Sequence, residues 1–194
     1  MEFLLREGAL IYRVASGASG RAVNSFNPGV GRPTRFAFFG TPVVPALYAA
    51  DTPEAAVCET LLHDIPANGG VLTPRDYQDK VMGRLRVSRA LVLASFMGTG
   101  LKALRVEASD ITTTTATRYP ETVKWAVAAH EAGFDGVAWM SGKCNTDRAY
   151  MFFGDRVAEE DLAIDPEFAR LFELEADRTW LTEFCSPLHI DVRW

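Results

Sequence analysis

The chain has 194 residues, 48% hydrophobic and 23% charged, which suits one globular domain with a sizeable core. A net charge of −5 argues against a broadly basic nucleic-acid-binding surface. No apolar run approaches the roughly 18 residues of a membrane span.

Residues 8–15 read as a first strand, with Leu10, Tyr12 and Val14 on one face and Ile11 and Arg13 on the other. Residues 16–34, rich in Gly, Ser, Asn and Pro, read as a long loop, and such loops tend to be functional or mobile. An aromatic segment over 35–40 ends at Gly40 and is followed by a near-continuous apolar strand over 43–50, expected to be central in a sheet. The next helix is expected over 52–63, with Thr52 as its cap and Pro53 in the first turn, where a missing N–H is harmless.

Residues 64–80 form a polar connection, and 80–87 and 90–96 read as two strands. The threonine-rich stretch 109–117 has no clear assignment. A helix over 120–132 has an apolar face of Val123, Val127 and Trp125, and Gly133 stops it. Strands over 135–141 and 148–153 pair through a loop of about six residues. The remainder alternates short helices with a terminal strand over 189–192. Strands and helices mix without a regular alternation, so the fold class is α+β, one domain over 1–194.

Glu59 falls on the inner stripe of the expected 52–63 helix, beside Ala55, Ala56 and Leu62. An ionised carboxylate on such a face is costly unless a cation or ligand partners it. Arg13 and Arg35 are the candidate cations, and a structural Arg–Glu pair satisfies this chemistry as well as a functional one. Cys58, Cys144 and Cys185 are odd in number and widely spaced, which fits a reducing compartment rather than a disulfide framework. Three histidines without CxxC or HExxH spacing give no metal site. The first residues lack a basic stretch followed by a long apolar one, so a cytoplasmic protein is expected. The glycine-rich and nucleophile-elbow signatures of dinucleotide-binding, P-loop and α/β-hydrolase proteins are absent.

Read together, the blocks Ile11-Tyr-Arg13-Val, Arg35-Phe-x3-Gly40, Leu47-Tyr48-x2-Asp51-Thr-Pro-Glu-Ala-Ala-Val-Cys-Glu59 and Gly133-Phe-Asp-Gly136-x4-Ser141 resemble the RES-domain family. The resemblance covers about residues 8–160, and its most specific part runs from Tyr48 to Glu59. The family's usual Gly-Gly-Arg-Phe/Trp-Asn segment is altered here to Pro33-Thr34-Arg35-Phe36-Ala37.

The resemblance implies an ADP-ribosyltransferase-like mixed sheet with flanking helices. It also implies the toxin of a toxin–antitoxin pair, blocked by an Xre-type antitoxin. The implied activity is cleavage of the nicotinamide–ribose bond of NAD+ by water or phosphate, with NAD+ as substrate and no cofactor. Protein ADP-ribosylation and a non-enzymatic nucleotide- or partner-binding module are the alternatives. Carried over residue by residue, Glu59, Arg13 and Ser141 are the expected catalytic residues. Arg13, Arg35, Tyr48 and Ser141 are expected to bind NAD+. The chemistry suits them: a carboxylate stabilises an oxocarbenium-like state, a phenol ring stacks on nicotinamide, and forked guanidinium groups hold a pyrophosphate.

Overall fold

An eight-stranded mixed sheet organises the computed structural model, which describes residues 1–194 apart from the Ser19 side chain. In chain order the strands are β1 (Glu2–Leu5), β2 (Leu10–Ser16), β3 (Ala46–Ala50), β4 (Gly70–Leu72), β5 (Lys80–Val87), β6 (Leu91–Ser95), β7 (Gly136–Met140), β8 (Arg148–Phe153), β9 (Leu162–Leu171) and β10 (Ile190–Val192). The helices are α1 (Pro53–Cys58), α2 (Pro74–Tyr77), α3 (Thr99–Leu104), α4 (Ala108–Ile111), α5 (Tyr119–Glu131) and α6 (Glu175–Cys185). The sheet order is β1-β6-β7-β8-β3-β2-β5-β9, with β6 and β7 parallel and the other neighbours antiparallel. β10 and β4 pair separately as a parallel ribbon. The expected α+β architecture is therefore the observed one, and β3 lies in the interior of the sheet as its apolar run implied.

Alternation sorts the core onto two faces of the sheet. Ile11, Leu47, Leu85, Leu93, Tyr150 and Phe152 form a buried cluster on one face. On the other face two clusters stand side by side. One gathers Phe36, Phe96, Trp139 and Phe153 beneath α5, and the second gathers Val14, Ala50, α1, Leu181 of α6 and Val192 of β10.

Several elements differ from expectation for identifiable reasons. The 52–63 helix ends at Cys58. Thr52 caps it, accepting from the Ala55 N–H at 3.1 Å. Residues 55–58 are all buried, so this turn of helix has no solvent face to continue along. Beyond it the Thr60, Leu61 and Leu62 N–H groups all converge on the Val57 carbonyl, tightening the chain into a turn. Glu59 is therefore the C-cap residue, not a residue of an inner stripe.

The buried face of α5 is Tyr119, Thr122, Ala126 and Ala129, while Val123, Trp125 and Val127 are half-buried. Thr122 is accommodated because its hydroxyl donates to the Arg35 carbonyl at 2.6 Å. The long strand β9 was not anticipated. Pro166 interrupts its pattern, and an edge strand tolerates proline because its outer N–H groups need no partner.

The two neighbours of β2 treat it differently. Against β5 every residue from Leu10 to Ser16 is in register. Against β3 a single pair, Tyr12 and Ala50, is in register, and the strands then part. The chain over 20–27 fills in beside the parting, bonding to β3 through the reciprocal Asn27–Ala46 bridge. Gly83 of β5 makes this possible, because a Cβ there would meet a Val23 methyl at 2.7 Å.

Candidate active site

A cleft of about 550 Å³ opens where β2 and β3 separate. Its lining comes from Tyr12, Arg13 and Val14 on β2, Tyr48 and Ala50 on β3, Ala56 and Glu59 at the end of α1, and a strap of residues 32–38. The outer wall is made by His63, Asp64 and Tyr119. The volume lies within the range of small-molecule sites, about 300–1,000 Å³.

Glu59 is half-buried at the rim of α1. Its backbone N–H closes the helix on Ala55 O at 2.9 Å, while its carboxylate has no hydrogen-bonding or ion-pairing side chain among the described residues. The structural Arg13–Glu59 pair allowed by the sequence does not form. Arg13 instead donates from Nη1 to the carbonyls of Val23, at 2.9 Å, and Ser25, at 2.8 Å. Burial lowers its guanidinium to about 10, with Glu159 acting the other way and Arg21 adding to the effect. Arg13 thus lines the cleft while tying down the segment that fills the parting of the strands.

Arg35 belongs to the strap and is held from the helical side. Its Nη2 donates to the Thr114 carbonyl at 3.2 Å, and its guanidinium lies 5.7 Å from the centre of the Tyr119 ring. Tyr48 holds the same strap from the sheet side. Its hydroxyl accepts from the Phe36 N–H at 3.2 Å and shares a 2.8 Å hydrogen bond with Thr34, while its ring meets Trp139 edge-on. Burial pushes the Tyr48 phenol up to about 12, against the opposing effects of Thr34, the Phe36 N–H and Arg35. The hydroxyl is a fixed, neutral strut between strand and strap.

Ser141 is not brought to the cleft. It is fully buried just beyond β7, and its Oγ accepts from the N–H groups of Lys143, at 3.3 Å, and Cys144, at 3.0 Å. This orders the turn that carries Cys144, which packs on the cluster around α1. The structure thus brings Arg13, Arg35, Tyr48 and Glu59 to one cleft and leaves Ser141 behind it.

Sequence reading missed His63 and Tyr119. The available signal for His63 was its spacing of four from Glu59, but the helix that would have given that spacing meaning stops at Cys58. Tyr119 sits one residue ahead of the expected helix start. Among the described residues no group of three or more His, Cys, Asp or Glu is placed to hold a metal ion, and the three cysteines are free. No described helix is long and apolar enough to cross a membrane.

The RES domain family model matches residues 10–175. The chain belongs to the RES-domain family. No curated protein sequence matches it. Among solved structures, a chain of the M. tuberculosis MbcT–MbcA toxin–antitoxin complex shares its fold, with a TM-score of 0.60 at 15% identity. That match covers 86% of this RES-domain chain and 85% of the M. tuberculosis one.

Proposed function

We propose that this RES-domain protein is an NAD+-consuming toxin that cleaves the nicotinamide–ribose bond. The observation that carries the reading is the Glu59 carboxylate, unpaired at the rim of a cleft that also holds three arginines, Arg13, Arg32 and Arg35. A carboxylate left without a cation suits a substrate that develops positive charge as it reacts, and the ribosyl oxocarbenium does so when neutral nicotinamide departs. The arginines suit the pyrophosphate at the other end of the same molecule. Family membership and the fold shared with a chain of a toxin–antitoxin complex support the wider role. The proposed partner is an Xre-type antitoxin that covers the cleft, and the proposed compartment is the cytoplasm, where NAD+ is available.

In mechanism, Arg35, aided by Arg32, holds the pyrophosphate, and the Tyr48 ring borders the nicotinamide. Glu59 faces the anomeric carbon and stabilises the cation as the C–N bond breaks. The acceptor, water or phosphate, then adds to that carbon. Arg13 and Ser141 serve this site through the elements they order.

The deciding experiment incubates purified protein with NAD+, with and without phosphate, and resolves nicotinamide, ADP-ribose, its 1″-phosphate and labelled protein. Nicotinamide release with a soluble ADP-ribose product is expected. Label retained on protein would favour ADP-ribosyl transfer, and intact NAD+ would leave a binding module.

A further inference from the structure

The outer wall of the cleft contains a chain of side chains to which the proposed chemistry assigns nothing. Asp64 Oδ1 lies 2.8 Å from Nδ1 of His63, and Nε2 of His63 lies 3.2 Å from the Tyr119 hydroxyl. The Tyr119 ring lies under the Arg35 guanidinium, which is also hydrogen-bonded to Thr114. Tyr119 is 9% exposed, whereas the Asp64 side chain is 99% exposed, so the chain runs from solvent to the cleft.

Proton placement follows from the chemistry. Burial keeps the Tyr119 phenol protonated, Arg35 opposing and Asp64 and Glu59 reinforcing the effect. The phenol and Nε2 share one hydrogen bond, and Nδ1 shares the other with the Asp64 carboxylate, so both ring nitrogens of His63 are engaged. Three separate segments are joined this way: the turn after α1, the strap and the start of α5. None of them is laddered to another by backbone, so these side chains, with the Thr122 bond to the Arg35 carbonyl, set the spacing of the cleft wall.

We propose that His63 and Tyr119 are positioning residues that hold Arg35 at the station where it meets the anionic part of a dinucleotide. The inference rests on the proposed NAD+ reading. It assigns these two residues to binding strength and not to the bond-breaking step. Tyr119→Phe keeps the ring beneath Arg35 but removes the hydroxyl that His63 fixes. His63→Ala removes the fixing group, while His63→Gln restores a hydrogen-bonding amide near the position of Nε2.

The test measures KM and kcat for NAD+ together with calorimetric affinity for ADP-ribose, in the parental protein and these three variants. One hydrogen bond of this kind predicts a loss of affinity of about 3- to 10-fold in Tyr119→Phe and His63→Ala. The same rise is expected in KM, with kcat within about twofold and His63→Gln recovering most of the loss. Unchanged affinity in folded variants, or a fall in kcat at constant KM, overturns the proposal. If the parental protein binds ADP-ribose but releases no nicotinamide, the NAD+ reading fails and the affinities alone decide this inference. If it binds neither compound, both fall.

Discussion

The two edges of β2 carry opposite tasks. Toward β5, every residue of β2 is in register, and β5 is in turn pinned to the edge strand β9. Arg84 and Arg86 of β5 both reach Asp165 of β9, at 3.0 and 3.1 Å. Toward β3 the ladder stops after one pair, and what replaces it is a set of side chains bonding to backbone: Arg13 to Val23 and Ser25, Tyr48 to Phe36, Thr122 to Arg35. The ladder side is self-sufficient. The parted side has room for a ligand because its backbone needs are met by residues that arrive from elsewhere.

If that division is right, substitutions on the parted side should separate activity from stability. Glu59→Gln is expected to have the largest effect on rate, on the order of 100- to 1,000-fold in nicotinamide release, since it removes a preorganised charge. Its melting temperature should stay near the parental value, because the carboxylate has no side-chain partner to lose. Near-parental turnover in a folded variant would remove Glu59 from the mechanism.

The two arginines should fail in different ways. Arg13→Ala leaves two loop carbonyls without their charged donor, which costs about 2 kcal/mol, or a fall in Tm of roughly 4–8 °C for a chain of this size. Arg35→Ala should instead raise KM for NAD+ with a smaller change in Tm, and Arg35→Lys should restore only part of the binding, because an ammonium cannot grip bidentately. Equal melting curves for the two alanine variants would erase the distinction between a residue that fills the parting and one that uses it.

Tyr48→Phe tests the strap directly. It keeps the ring against Trp139 but leaves the Phe36 N–H without its acceptor, an expected cost of about 1–3 kcal/mol. KM should rise because Arg35 is the neighbour of Phe36, and Tyr48→Ala should be worse still. A Tyr48→Phe variant as stable and active as the parent would show that the strap holds itself.

The smallest effect on activity is expected on the ladder side. The Glu167 N–H, then Arg84 and Arg86, hold the Asp165 carboxyl below the usual carboxylate range, with burial opposing them. A depressed folded value means that its contribution is present at neutral pH and is lost as pH falls below the ordinary carboxylate value of about 4. Asp165→Asn should lower Tm at pH 7, flatten the acid limb of a Tm-versus-pH curve, and leave NAD+ kinetics unchanged. Altered kinetics in this variant would mean that the two edges communicate.

Much of this organisation was legible in the sequence, and what escaped has physical causes. The alternation of Leu10 to Ala15 and the apolar run ending at Ala50 marked β2 and β3, and Gly133, at φ 92°, marked the end of α5. Of the elements that were missed, β1, β4, α2, α3 and α4 are six residues or shorter, so no period could build up, and the long β9 is interrupted by Pro166. The motif blocks brought Arg13, Arg35, Tyr48 and Glu59 into consideration. They did not reveal that Arg13 turns to carbonyls, or that Ser141 stays behind the cleft. Ser141 is held by its own turn to Lys143 and Cys144, whereas the choice of Arg13 depends on where the segment over 20–27 lies, and that segment has no periodicity to read. Its course follows from the space left by Gly83 and from single hydrogen bonds, which only the assembled fold supplies.

Every residue that lines the cleft has been synthesised by Ala149, yet the cleft is not complete at that point. Leu181 and Cys185 of α6 and Ile190 and Val192 of β10 pack in the same cluster as Ala55, Val57 and Cys58, and β10 closes on β4. The short helix that presents Glu59 rests on Val14 of β2 and Ala50 of β3, but the cluster around it is complete only once residues 175–192 have left the ribosome. A growing chain carries all its chemistry in order but unassembled, so its own translation acts as a delay before the site is complete.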